Sequence, residues 1–376
     1  MGFVTISIFG VISATFIFLF TPPSFYWKYS HARVLHKYSS MIKNEHLVGR
    51  ISKKYHGLPA PEAIILFDKP ESFVFGYAGA PDGWLAELYD DGTFKNVAYL
   101  NGYAIGGDVE KSGRGLFIAV APIGLLHVDL SSFEITVAAA ISDDNLPIRF
   151  PADARVSSDG KVYFNCASQV APDVNKEGVY DLEYVVAKDA SSGSGTGRFL
   201  VYDTRTRKTK TLLSGLMFAN GIAISADESF ALISESFAFR IIKYYLTGSR
   251  AGTYEYLVER LPGTPDNISL APDGNFWVAI FSPMDDGVAS ILSNKWVGFI
   301  YSHLKRGVAP PLPPYTTIIK IDSDGNELAN LQDPKGTVLY CVTSVVEYEG
   351  YLYLADSRDD FVAVVKVEKI RHLIKI

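Results

Sequence analysis

Cysteine is nearly missing from this chain: Cys166 and Cys341 are the only two in 376 residues. That excludes a disulfide-stapled scaffold and leaves either one bridge or two free thiols, which are commonly buried. Basic character is scarce too. Acidic residues outnumber basic ones, 41 to 35, for a formal net charge of −6, and no Lys/Arg stripe crosses the body of the chain. Without that stripe the attraction to phosphate backbones is absent, so nucleic acid is not an expected partner. Histidine is sparse as well. Of seven, His31, His36, His46 and His56 precede the β-rich body, His127 falls inside an expected strand, and His303 lies in a long connection. A His–His base pair is therefore not expected. Helical periodicity is scarce after Leu58, which argues against a helical bundle.

Long apolar runs are also rare, with one exception. Phe3–Phe20 (FVTISIFGVISATFIFLF) carries no charge over 18 residues and ends at Thr21-Pro22-Pro23. As a helix it would span roughly 27 Å, close to the hydrocarbon thickness of a bilayer. It is long for the core of a cleaved signal peptide, and no small-x-small site follows, so a signal anchor is preferred over a signal peptide. Lys28, Arg33, Lys37 and Lys43 follow it, a bias that by itself favours a cytosolic body. The expected organisation is residues 1–24 as anchor or signal peptide, 25–57 as a juxtamembrane segment, and 58–376 as one folded body.

That body, at 48% hydrophobic and 20% charged residues for the whole chain, can bury a large core. Ala63–Phe67, Gly115–Val120, Val162–Asn165, Phe199–Tyr202, Ala231–Ile233, Phe276–Ile280, Thr317–Ile321 and Tyr351–Ala355 are short β-branched or aromatic runs. Turn residues bound them, and Asp91-Gly92, Asp159-Gly160, Asp273-Gly274, Asp324-Gly325 and Glu349-Gly350 each stand just before or between such runs. The pattern repeats roughly every fifty residues, so the body accommodates about six four-stranded blades. The fold expected is all-β, a six-bladed β-propeller behind an N-terminal hydrophobic anchor helix. Lys188–Gly197 (KDASSGSGTG) is expected as a flexible loop. Asn294–Pro314, ending in VAPPLPP, is expected as a second long connection rather than a polyproline ligand.

Oxygen-bearing side chains cluster at the ends of β-rich runs between Gly215 and Ile280. Asn220, Asp266 and Asn267 are such groups, suited to a hard divalent cation or a polar substrate. Each on its own also reads as an ordinary turn cap. Asn267-Ile268-Ser269 is the chain's sole glycosylation sequon; placed in this cluster, it is expected to stay unmodified.

The same stretch resembles a family. FANG at Phe218–Gly221, the E-x-x-x-x-R-I spacing of Glu235 to Ile241, the G-x-x-A-G of Gly248–Gly252, and LPGTPDNI with FWVA look like strictosidine synthase-like proteins. That family includes the adipocyte plasma membrane-associated protein and is more distantly similar to paraoxonases. The resemblance implies a six-bladed propeller and a Ca²⁺ ion on its axis. By motif, Glu62 (in Ala60-Pro61-Glu62-Ala63), Asn220, Asp266 and Asn267 match the ligands. One departure is plain: where the family has F-x-N-D, this chain reads Phe150-Pro151-Ala152-Asp153, so an amide ligand is replaced by the methyl of Ala152. Asp153 or a water could stand in. The resemblance also points to Glu347, in Thr343–Ala355, as a catalytic base. It implies a lumenal or extracellular body, against the charge bias around the apolar run. Asn101-Gly102-Tyr103 stands where the family has CGRP, so that family disulfide is absent. Also by resemblance, the Asn294–Pro314 insertion lies over the substrate end of the propeller.

The expected activity is a calcium-assisted hydrolase of esters or lactones, arylesterase-like, acting on a small-molecule substrate. The ion would polarise a carbonyl and acidify a bound water. A noncatalytic, membrane-anchored ligand-binding propeller is the alternative. A Pictet–Spengler synthase using Glu347 ranks third.

Overall fold

The computed structural model describes residues 43–67, 74–174, 178–192, 195–283 and 314–375. Within them the chain builds six four-stranded antiparallel sheets. Blade 1 comprises Ala63–Leu66, Val74–Gly79, Trp84–Tyr89 and Phe94–Tyr99. Blade 2 follows with Tyr103–Val109, Gly115–Ala121, Gly124–Asp129 and Ile135–Ala139, and blade 3 with Phe150–Val156, Lys161–Ser168, Gly197–Asp203 and Lys208–Leu216. Blade 4 holds Ala219–Ile224, Phe230–Glu235, Arg240–Tyr245 and Tyr254–Val258; blade 5 holds Gly263–Leu270, Phe276–Pro283, Thr316–Ile321 and Glu327–Asp333. Blade 6 takes Val342–Tyr348, Tyr351–Asp356 and Val362–Lys366, and its fourth strand, Ile51–Lys54, comes from far upstream.

The first strand of each blade packs against the first strand of the next, and the ring closes from Val342–Tyr348 back to Ala63–Leu66. These six strands therefore line the axis. Their neighbours are buried on both faces, as in Gly115–Ala121, where every residue is buried. Stacked blades leave no wet face, so such strands read as continuous apolar runs. Shared cores weld the blades together. Ile65, Tyr77 and Leu85 of blade 1 meet Leu116, Ile118 and Val120 of blade 2, and Trp277, Ile318 and Leu331 of blade 5 meet Val345, Leu352 and Val365 of blade 6. Each fully buried side chain of this size contributes about 1.5–3 kcal/mol by removal from water.

The antiparallel pairing of Ile51–Lys54 with Val362–Lys366 ties the two ends of the described chain together. Leu47, fully buried, inserts ahead of it into the core shared by blades 5 and 6. The propeller thus begins upstream of the boundary expected at Leu58, because closing the ring leaves blade 6 one strand short unless an early segment supplies it.

A second departure lies in blade 3. Between its second and third strands the chain forms a two-stranded ribbon, Asp173–Val174 with Tyr180–Asp181, and an α-helix, Leu182–Ser192. The first half of the Ser/Gly-rich stretch expected as a loop is thus helical. Burial of Val185 among Tyr103, Phe150 and Phe218 holds the helix against the blades. Asp189, buried, closes the insertion by accepting hydrogen bonds from Ser168 Oγ and Thr196 Oγ1, both 2.7 Å. Tyr180 reaches blade 1, its backbone N–H bonding the Pro81 carbonyl and its hydroxyl the Asn101 carbonyl.

Cys166 and Cys341 are both buried and free. The Phe3–Phe20 run and residues 294–313 of the long connection lie outside the described residues. Among the described helices, none is long and apolar enough to cross a membrane.

Candidate functional site

One irregularity repeats around the axis. In the inner strand of blade 2 the ladder slips between Ala104 and Gly107, in blade 3 between Pro151 and Ala154, in blade 4 between Ala219 and Ile222, and in blade 5 between Pro265 and Ile268. Blade 6 slips between Val342 and Ser344. Each slip is a β-bulge, which turns the extra residue out of the ladder's alternation. The bulged residues are Ile105-Gly106, Ala152-Asp153, Asn220-Gly221, Asp266-Asn267 and Thr343. Blade 1 contributes Glu62, immediately before its first strand. Four sequence-predicted residues, Glu62, Asn220, Asp266 and Asn267, therefore belong to one ring, and all four are buried.

Glu62 is fixed twice. Its Oε2 accepts the Tyr103 hydroxyl at 2.8 Å, and its backbone carbonyl accepts Thr343 Oγ1 at 2.7 Å. Burial pushes its carboxyl up to about 7, against the lowering effect of the Tyr103 bond. Asp266 is raised well above the usual carboxylate range by burial, by Glu62 and by Asp153, while the Asn220 side chain pulls it down less strongly. Tyr103 is raised in turn by burial and by the Glu62 charge. The pair thus resists ionising together.

Several polar atoms here lack partners. Asp266 Oδ1 and both side-chain polar atoms of Asn267 are buried with no hydrogen bond. A buried unpaired polar atom costs about 1–3 kcal/mol, so two unpaired oxygens and one unpaired amide nitrogen beside the Glu62 carboxylate form a site built to receive something. The donors are carboxylates and carboxamides, without nitrogen or sulfur ligands. Among the described residues no three His, Cys, Asp or Glu side chains converge on a metal-binding point. That composition suits Ca²⁺, which takes neutral amide oxygens alongside few carboxylates, and does not suit Zn²⁺.

Asp153 does not take the place that Ala152 leaves open. Its Oδ1 accepts Arg155 Nη1 (2.5 Å) and the Ala154 N–H (2.9 Å), and its Oδ2 accepts the Ile222 N–H (3.0 Å). Burial pushes it up to about 6 even with the Arg155 charge opposing. Arg155 also reaches the Gly107 carbonyl of blade 2 (3.0 Å) and the Ile268 carbonyl of blade 5 (3.4 Å). It binds three inner strands below the ring.

The ring is consequently two-sided. Blades 4, 5, 6 and 1 present oxygen, whereas blades 2 and 3 present Ile105, Gly106 and Ala152. Above that apolar side stand Tyr103, Phe150 and Phe218, with Phe237 4.6 Å from Phe218 between ring centroids and Val185 of the helix closing over them.

Glu347 is not part of this ring. It lies four residues beyond Thr343 in the inner strand of blade 6, roughly 13 Å further along. There its Oε2 accepts Trp277 Nε1 at 2.7 Å, with Lys320 Nζ at 3.4 Å, which makes it a tie between blades 5 and 6. Glu347 thus stands apart from the ring, and the residue of this strand at ring height is Thr343. His127 is also remote, packed on Phe117 in the third strand of blade 2 and paired with Glu110 at 3.4 Å. Asn267, 3% exposed, is too buried in the fold to carry a glycan.

The E-x-x-x-x-R spacing has a structural meaning. Glu235 and Arg240 are cross-strand partners, joined by a 2.5 Å ion pair across the tight turn of Ser236–Ala238. Tyr103, Thr343, Arg155, Ser234 and Ser236 were not singled out by sequence reasoning. The two serines left one signal, a polar Ser-Glu-Ser interrupting an otherwise apolar strand.

Comparison with known proteins agrees with this architecture. The strictosidine synthase family profile matches residues 152–249. The adipocyte plasma membrane-associated protein of Bos taurus is 30% identical over 306 residues, covering 75% of this chain and 71% of that protein. Its Gallus gallus namesake is 29% identical over 320 residues, covering 78% and 73%. Protein STRICTOSIDINE SYNTHASE-LIKE 3 of Arabidopsis thaliana is 30% identical over 271 residues, covering 70% and 66%. Among solved structures, a gluconolactonase from Xanthomonas campestris superposes with a TM-score of 0.57 at 12% identity, covering 83% of this chain and 88% of that one. Regucalcin from Agrobacterium tumefaciens, a calcium-binding protein, gives 0.54 at 13% identity, covering 84% and 93%. At these identities the structural likeness is one of fold.

Proposed function

This chain belongs to the strictosidine synthase-like family that includes the adipocyte plasma membrane-associated proteins, and on that premise we propose that it is a calcium-assisted hydrolase of esters or lactones. The observation that carries the proposal is the set of unpartnered buried atoms on Asp266 and Asn267 beside the Glu62 carboxylate. The names gluconolactonase and calcium-binding regucalcin, borne by proteins of the same fold, support it. Glu62, Asn220, Asp266 and Asn267 would hold the ion. When bound, it supplies polarisation of a carbonyl and acidification of a water.

The remaining work falls to this chain's own side chains. Tyr103 holds the Glu62 carboxylate in place through its hydroxyl, and Thr343 holds the Glu62 backbone. With the ion bound, Glu62 would serve as one of its oxygen ligands, its carboxylate kept ionised by the cation. The apolar flank of Ile105, Ala152, Phe150 and Phe218 would receive the acyl or aryl part of a substrate, leaving the carbonyl toward the oxygens of blades 4 and 5. The helix Leu182–Ser192 would limit water on that side.

Ala152 favours a second reading. With one amide ligand missing, the site could bind a ligand without turning it over, as a noncatalytic propeller. We further propose that the Phe3–Phe20 run anchors the protein in a membrane of the secretory system with the propeller lumenal, a reading the relatives' name supports. Protease protection of the body in sealed microsomes is the expected result there.

Hydrolysis of phenyl acetate and of aliphatic lactones by the full chain in detergent, with calcium and with EGTA, tests the activity. Calcium-dependent turnover that is lost in Asp266→Ala is expected. Turnover indifferent to both would remove the ion from the mechanism, and no turnover by folded protein would leave the binding reading.

A further inference from the structure

We propose that Ser234 and Ser236 are positioning residues that clip the bulge of blade 4 to the bulge of blade 5 and so set the spacing of the axial oxygens; the inference rests on the cation reading of that site. Ser234 lies near the end of the second strand of blade 4 and Ser236 opens the turn that follows it, 0% and 2% exposed.

The Ser234 hydroxyl accepts the Gly221 N–H at 2.8 Å and donates to the Asp266 carbonyl at 2.6 Å. One oxygen thus joins two bulges in different blades. Ser236 repeats the arrangement next to it. Its hydroxyl donates to the Pro265 carbonyl at 2.7 Å and accepts Asn220 Nδ2 at 3.4 Å. Each hydroxyl has one donor and two acceptor positions, and in each the donor is spent on blade 5 and an acceptor on blade 4. The backbone groups so satisfied are among those that the bulges remove from the regular ladder.

The intervening Glu235 is anchored by partners of its own. Fully buried, it accepts the Met217 N–H at 2.7 Å and Arg240 Nε at 2.5 Å, and the Arg240 guanidinium rests 3.9 Å over the Tyr256 ring. Asn165 Nδ2 secures the bulge from the other side by donating to the Asn220 carbonyl at 2.7 Å. Three of the four proposed oxygen ligands, Asn220, Asp266 and Asn267, ride on the two clipped bulges. Loss of either hydroxyl frees the two bulges that carry these ligands to part. Groups that hold ligands from behind are typically worth 10–100-fold in metal affinity.

Calcium binding by isothermal titration calorimetry, on the full chain in detergent, compares Ser234→Ala and Ser236→Ala with Ser225→Ala. Ser225 is a matched control: its hydroxyl bonds Asp227 and the Phe230 N–H in the hairpin of the same blade. At least about tenfold weaker binding is expected in each clip variant, with wild-type affinity in the control and comparable melting temperatures for all three in EGTA. Deuterium exchange without calcium should accelerate over residues 219–224 and 263–270 in the clip variants alone. Wild-type affinity in both clip variants, or a loss matched by the control, would overturn the proposal. If the wild-type chain binds no calcium, the cation reading fails by itself; unchanged exchange over the two strands would then overturn the clip as well.

Discussion

Gly221 of blade 4 and Asn267 of blade 5 meet backbone to backbone: a methyl group on Gly221 would stand 2.4 Å from the Asn267 Cα. No side chain fits between them, so the two bulges approach as closely as covalent structure permits. That contact places a carboxamide of one blade beside a carboxylate and a carboxamide of the next.

Gly221→Ala should therefore push the bulges apart. Overpacking of this kind costs about 1–3 kcal/mol, and a fall in melting temperature together with at least tenfold weaker calcium binding is expected, by analogy with loss of ligand support. Differential scanning fluorimetry with and without calcium reads both. Unaltered calcium affinity would mean that blade spacing does not govern the site.

Stability of the calcium-free protein should fall as pH rises. Glu62 has an ordinary value of 4.5 and is pushed up to about 7 in the fold. Between those values the unfolded chain has released a proton that the folded chain still holds, so stability drops across that window, by about 3 kcal/mol at most. Asp266, also raised, acts with the same sign. Asp153, pushed up to about 6, and Asp356, pushed up to about 8, add to the same trend in this window, while carboxylates held down to about 2, such as Asp129 and Asp144, exert their opposite effect below pH 4. In EGTA the melting temperature should be higher at pH 5.5 than at pH 8, with calcium closing the gap at pH 8. A flat or rising profile in EGTA would contradict the charge balance assigned to the ring.

Ala152→Asn supplies an oxygen at the bulge position of blade 3 where the ring has a methyl. Calcium binding about tenfold tighter is expected, an effect of one added ligand. Calorimetry measures it directly. Binding no tighter than wild type would show that the blade 3 bulge does not face the ion.

Glu347→Gln should spare turnover and lower stability. The carboxylate joins Trp277 Nε1 to Lys320, a lysine only 3% exposed that also pairs with Asp273 at 2.8 Å. Weakening that buried network is expected to cost about 1–3 kcal/mol, read by chemical denaturation, with kcat/KM unchanged. A large loss of kcat/KM in a variant of normal stability would return Glu347 to the reaction.

Much of this was legible before the structure. The strand runs lie inside observed strands, except that Ala63–Phe67 runs one residue past its strand, and the Asp-Gly turns separate them with glycines in the left-handed region, Gly160 at φ +81° and Gly274 at +83° among them. Asn220, Asp266 and Asn267 stood out as oxygen-bearing side chains expected at the ends of β-rich runs, whereas the structure sets them in bulges within inner strands. Glu62 came only through family resemblance. The distance of Glu347 from the ring was not legible, because a motif marks a strand but not the depth of each residue along the axis. The helix Leu182–Ser192 was hidden by the Ser/Gly composition that follows it, since its stability comes from contact with Phe150 and Phe218 rather than from its own residues.

The sequence by itself determined what short-range chemistry controls: alternating or continuous apolar strands, turns where backbone φ must be positive, the family, and the residue types available to an axial site. Tertiary structure alone decided which of those residues meet. The common height of five bulges, the closure by Ile51–Lys54, the contact of Gly221 with Asn267 and the capture of Glu62 by Tyr103 and Thr343 all join residues distant in sequence. Such pairings are set by the register between strands and by the packing of one blade on the next, and a single strand's residues carry no record of either until the ring has closed.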